Sequence, residues 1–132
     1  MCGVRRTVAA LAITGATLAL ALPVMARSSA NEALSDFRIS GPGQAQAGSM
    51  TFKAKNTSDG LHELVVIKTS TKAARLPRKD GRASEAGKVG EVEVKPGQAK
   101  TLELTLKPGH YVLLCNVGKH YQAGMYKDFT VS

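Results

Sequence analysis

Three residues near the C-terminus, Cys115, His120 and Met125, follow one another at intervals of five in YVLLCNVGKHYQAGMYKDFTV. On an α-helix a step of five turns the side chain by roughly 140°, and on a strand an odd step reverses the face, so neither regular element unites the three. A loop does. Cys115 closes an apolar run, Met125 opens the last one, and Gly118 and Gly124 give the chain between them the freedom to fold around a point. Thiolate, imidazole and thioether make a soft donor set: sulfur favours Cu(I), while imidazole also accommodates Cu(II). Two histidines and a cysteine in a trigonal arrangement, with methionine as a long axial ligand, describe the electron-transfer copper site, which needs a second histidine. His62 is the natural candidate. It follows the turn Asn56 to Gly60 and opens the apolar run HELVVIK, where it can share one pole of a sandwich with the Cys115 loop.

Each of these residues also has an ordinary reading. Cys115 could be a small buried hydrophobe at a strand end, or a nucleophile with His120 or His110 as its base, although no third group that would orient such a base is evident. Met125 could fill the core, His62 could end a turn, and His120 could be a surface histidine. Zinc also accepts one cysteine and two histidines with an open fourth position; the methionine tips the choice to copper. His110, after Pro108-Gly109, reads as the surface start of a strand and is left out of the site. Asn56-Thr57-Ser58 matches a glycosylation acceptor and serves equally well as a turn.

The elements that must position these side chains are short runs of Val, Ile, Leu, Thr and Phe punctuated by Gly, Pro, Asn and Asp. Strands are expected over 34–40, 49–55, 62–69, 89–94, 100–106, 110–115 and 126–131. Thr101, Glu103 and Thr105 alternate with Leu102, Leu104 and Leu106, a polar row toward water and a leucine row toward a core. Gly41-Pro42-Gly43, Lys95-Pro96-Gly97 and Lys107-Pro108-Gly109 mark turns. Residues 70–88 are polar, basic and dotted with Ala, Gly and Pro77, and read as an insertion with one helical turn and no chemistry of its own. There is no internal repeat and no heptad pattern. About seven short strands with regular turns predict an all-β sandwich of two antiparallel sheets.

The first residues, MCGVRR followed by TVAALAITGATLALALPVMA, have the basic start, apolar middle and small-residue end of a secretory signal. Residues 1–26 are read as that signal; the apolar run is slightly long, so an uncleaved segment would act as a membrane anchor. Residues 27–33 are expected to be a polar linker and 34–132 the domain. Arg5-Arg6 also leaves twin-arginine export open. Cys2 falls in the signal, so Cys115 stands alone in an oxidising compartment, periplasmic or extracellular, and cannot form an internal disulfide. The 18 Lys and Arg outweigh 10 Asp and Glu for a net charge of +8, or +6 without Arg5 and Arg6. Scattered lysines without interleaved aromatics argue against nucleic acid, and leave either a solvated basic face or steering toward an acidic protein or an anionic membrane.

The stretch GHYVLLCNVGKHYQAGM, the histidine after an Asn-containing turn and the closing FTV resemble the cupredoxin family of plastocyanin-like blue copper proteins. The Cys-x4-His-x4-Met spacing is similar to that of rusticyanin, sulfocyanin and auracyanin, and the resemblance covers residues 34–132. It implies a Greek-key β-sandwich holding one copper ion that alternates between Cu(I) and Cu(II). His62 and His120 become its imidazole ligands, Cys115 the thiolate with the short strong bond and Met125 the weak axial ligand. Tyr111 matches a core position. The implied function is a monomeric one-electron carrier, not an enzyme; a catalytic copper oxidase or nitrite reductase would need further copper sites, and only His110 remains to build one. The His120 ring edge is expected at the surface amid Leu61, Val117, Tyr121 and Ala123, with lysines steering an acidic redox partner into transient, salt-sensitive complexes. A periplasmic copper chaperone or store is the alternative, and a metal-free adhesion sandwich a third. One residue departs from the family pattern: Glu63 follows His62 where many relatives carry Asn or Ser to tie the ligand loops, and Asn116 is expected to supply the missing hydrogen bonds.

Overall fold

A computed structural model describes residues 3, 18–22 and 24–132. The chain passes through β1 (Arg27–Ser35), β2 (Arg38–Ser40), β3 (Gln44–Ala45), β4 (Gly48–Asn56), β5 (His62–Lys68), a 3-10 turn (Ala73–Arg75), β6 (Arg78–Lys79), β7 (Arg82–Ala83), β8 (Lys88–Val94), β9 (Ala99–Leu106), β10 (Gly109–Leu114) and β11 (Tyr126–Val131). One sheet has the order β2-β1-β4-β9 and the other β3-β11-β10-β5-β8, while β6 and β7 form a separate hairpin. Pairing is antiparallel except for β1 with β4 and β3 with β11.

Period-two alternation decides which side chains meet. Along β4, Met50, Phe52 and Ala54 are buried while Lys53 and Lys55 are exposed, and Leu102, Leu104 and Leu106 of β9 join the same inner core, as the leucine row predicts. The centre strands β5 and β10 are apolar on both faces: Leu64, Val66, Tyr111 and Leu113 face the inner core, and Val65, Ile67, Val112 and Leu114 form a second cluster outside the sheet. Tyr111 is structural, as expected, with its hydroxyl donating to the Lys107 carbonyl.

The structure corrects four expectations. The two sheets are mixed and not purely antiparallel, since β1–β4 and β3–β11 pair in parallel. The strand over 34–40 is two strands, because the chain reverses at Asp36-Phe37. Residues 27–33 are no linker: β1 begins at Arg27 and pairs with β4 from Arg27↔Ser49 to Leu34↔Asn56. Only Ala30 and Glu32 point inward from this polar stretch, so it lacks an apolar strand signature. Glu32 is ion-paired with Lys127 of β11 at 3.1 Å, across the two sheets. Residues 70–88 hold the expected helical turn, a 3-10 turn at Ala73–Arg75, but they also form the unforeseen β6–β7 hairpin and lay Ala73, Leu76 and Ala83 on the second cluster. Most of the expected signal segment lies outside the described residues. Among those described, no helix is long and apolar enough to cross a membrane.

Candidate metal centre

The turn leading into β5 fixes the first imidazole before any metal is considered. Asn56 is fully buried and its amide donates to the carbonyls of Gly60 and Val94, which sets its orientation. Its oxygen then accepts the Ser58 amide and the single hydroxyl proton of Ser58, both at 2.9 Å. With that proton directed to Asn56, the Ser58 oxygen is placed to accept from His62 Nε2–H, 2.8 Å away. His62 is thereby held as the tautomer whose Nδ1 lone pair is free. A glycan is ruled out at so buried an Asn56, and the turn reading of Asn-Thr-Ser stands.

The other donors come from one loop laced by its own backbone. The Cys115 amide donates to the Met125 carbonyl at 3.0 Å, and the Met125 amide donates to the His120 carbonyl at 3.1 Å. Gly118 and Gly124 take φ of 51° and 105°, values that side-chain-bearing residues rarely adopt, as the spacing required. Cys115 and Met125 are fully buried in the inner core.

His62, Cys115 and His120 converge. Nδ1 of His62 and Nδ1 of His120 are 3.2 Å apart, and Cys115 Sγ lies 3.5 Å from the His120 nitrogen and 3.9 Å from that of His62. The point equidistant from these corners is about 2.1 Å from each, against ~2.0–2.1 Å for a zinc–imidazole bond and ~2.3 Å for a zinc–thiolate bond, so a first-row ion fits with little movement. Burial pushes the Cys115 thiol up against the pull of the Glu63 and Val117 amides, while burial and then His120 hold the His62 imidazole down. Neither group is therefore charged near neutral pH without a metal, and binding an ion there releases the thiol proton. With the thioether of Met125 in the same buried loop, the donor set fits one copper ion.

Sequence reasoning missed the supporting residues. Glu63 does not break the clasp; it makes one. Its amide donates to Cys115 Sγ at 3.4 Å and its carboxylate accepts the Asn116 amide at 3.0 Å. The Asn116 side chain, expected to reach the sulfur, instead turns to residues 82–85: it accepts from the Ala83 amide and donates to the Ala83 carbonyl and to Glu85. Arg82 donates to the Asn116 carbonyl, Gln122 N–H to Gly81 and the Tyr121 hydroxyl to Ala73. The insertion thus splints the ligand loop.

The outer edge of the site differs from expectation in one residue. Tyr121 is buried in the second cluster, while Leu61 and Val117 are half-buried and Ala123 is exposed. The aromatic ring at the surface is Phe37, edge-to-face with His120. His110 lies outside the cluster, as expected, bonded to the Thr69 carbonyl and to Asp128.

No family model and no curated protein matches the sequence. Solved structures do. A dithionite-reduced auracyanin from the photosynthetic bacterium Roseiflexus castenholzii aligns at TM-score 0.62 and 23% identity, covering 83% of this chain and 99% of that one. Auracyanin A, a blue copper protein from the green thermophilic photosynthetic bacterium Chloroflexus aurantiacus, aligns at 0.61 and 18%, covering 81% and 100%. Rusticyanin from Thiobacillus ferrooxidans aligns at 0.62 and 15%, covering 79% and 76%. What is shared at these identities is the fold: the chain is a cupredoxin-like sandwich, as the sequence resemblance implies.

Proposed function

We propose that the protein is an exported mononuclear type 1 copper protein that carries single electrons between partners, and not an enzyme. The observation that carries this reading is the triangle of His62 Nδ1, His120 Nδ1 and Cys115 Sγ, sized for one ion inside this fold. Bound copper would supply a one-electron couple between Cu(I) and Cu(II). The chain's part is to hold the donors still. Ser58 fixes the His62 tautomer, Glu63 fixes the sulfur and the loop behind it, and the Cys115–Met125–His120 backbone bonds fix the spacing. Donors held by the fold need little rearrangement when charge changes. The N-terminal signal pattern and the lone Cys115 beyond it support a periplasmic or extracellular address. The excess of lysine and arginine supports an acidic partner in short-lived complexes.

The test is to load the domain with Cu(II) and record its visible and electron paramagnetic resonance spectra and its voltammetry. An intense thiolate-to-copper band, a narrow copper hyperfine splitting and a reversible wave are expected. Cys115→Ser abolishes the colour, and Met125→Leu keeps it while shifting the potential. Copper binding without a reversible wave, with rapid handover to a chelator, would instead identify a chaperone.

A further inference from the structure

We infer that Phe37 is a positioning residue for His120, bracing the imidazole from the solvent side; this rests on His120 being a ligand. The two-residue turn between β1 and β2 reaches both imidazoles. The Asp36 carboxylate lies 3.7 Å from His62 Nε2, and the Phe37 ring meets the His120 ring with centroids 5.3 Å apart and planes at 79°. That is the favoured edge-to-face arrangement.

The turn is not built for its own stability. Phe37 has φ of 58°, where a Cβ crowds the backbone and Gly or Asn is the ordinary occupant. Ser35 pairs with Arg38, so only Asp36 and Phe37 span the hairpin, a setting that favours Asn-Gly or Asp-Gly. Burial does not repay the strain, because Phe37 is 49% exposed. A strained, half-exposed aromatic marks a place where something other than folding selects the side chain. What the ring touches is His120, whose other aromatic neighbour is His62, at 5.0 Å between centroids. His120 sits on a loop of consecutive turns, and a contact from the opposite sheet limits the rotation that would swing Nδ1 away from Cys115.

The experiment compares wild type with Phe37→Gly, Phe37→Leu and Phe37→Tyr. Glycine suits the backbone, so Phe37→Gly should leave Tm unchanged or raised. In the metal-free protein at fixed pH, diethyl pyrocarbonate modification of His120, followed by peptide mass spectrometry against His110 as internal standard, should accelerate about fivefold, as loss of one aromatic contact implies. In the copper-loaded protein, release to a chelator should accelerate similarly. Phe37→Tyr should restore both rates and Phe37→Leu should not. Unchanged His120 reactivity in Phe37→Gly, a leucine variant equal to wild type, or a fall in Tm with glycine would each overturn the inference. The metal-free arm decides on Phe37 even if the chain binds no copper.

Discussion

Glu63 Oε1 accepts the Asn116 amide at 3.0 Å while the Glu63 amide donates to the Cys115 sulfur at 3.4 Å, so the residue after one imidazole holds the thiol and the backbone behind it. Glu63→Ala removes the carboxylate acceptor and leaves the amide of the buried Asn116 unpaired, a loss of about 1–3 kcal/mol. Glu63→Gln retains an acceptor of the same reach and should cost well under that. Urea denaturation measures both. Amide hydrogen exchange at Asn116 should quicken in the alanine variant alone; equal exchange in the two would remove the clasp.

The convergence of His62, Cys115 and His120 was legible because its signal is local and chemically narrow: Cys115, His120 and Met125 stand at a spacing no helix or strand explains, and His62 opens an apolar run after a turn. Its supports were not. Glu63 looked like a defect because the expected clasp was an amide or hydroxyl, and only the register of β5 beside the Cys115 loop shows that a carboxylate reaches the same amide. Asn116 looked free for the sulfur because the insertion it binds carries no strand signature longer than two residues. β1 escaped notice for a related reason: a polar strand reads as linker until its partner is known.

Ser58 gives a second test. Its hydroxyl is the only side chain of the Asn56–Gly60 turn on His62 Nε2, and its loss frees the imidazole to change tautomer. Ser58→Ala should weaken copper binding by about 10-fold or more, the usual effect of removing such an outer partner, while Tm in the metal-free protein moves little. Competition with a chelator of known affinity reads the first quantity and calorimetry the second. An affinity equal to wild type would mean that Asp36, 3.7 Å away with its side chain 73% exposed, suffices to orient the ring.

The splint can be loosened one bond at a time. Tyr121→Phe removes the hydroxyl donated to the Ala73 carbonyl at 2.6 Å and should cost about 1 kcal/mol in urea denaturation. Deleting residues 72–85 is a larger change, since it uncovers Val65, Ile67, Val112 and Leu114 on the outer face of the centre strands. That variant should bind a hydrophobic dye and associate, because a contiguous apolar patch would face water. A monomeric, stable deletion variant would show the insertion to be dispensable.

The pair between Glu32 and Lys127 makes stability depend on pH in a direction that can be worked out. Burial raises the Glu32 carboxyl above its ordinary range, and the hydrogen bond and charge of Lys127 pull it part of the way back. A carboxyl raised on folding stabilises the native state below its unfolded pKa, and that contribution is lost as pH rises through the folded value. Lys127 offsets the loss by pairing with the ionised form, and also holds the Gly41 and Pro42 carbonyls. Lys127→Met strips away that compensation. At pH 7 it leaves a carboxylate with a fully buried side chain unpaired, at a cost of about 3–5 kcal/mol. As pH falls toward 5 the same carboxyl, raised further by the loss of Lys127, takes up a proton more readily and the cost should shrink. Adding Glu32→Gln to Lys127→Met should recover most of the stability at pH 7 and erase the pH dependence of the difference. Urea denaturation of the three proteins at both pH values decides it: a Lys127→Met penalty that is the same at pH 5 and pH 7 would assign the loss to the Gly41 and Pro42 contacts and not to the stranded charge.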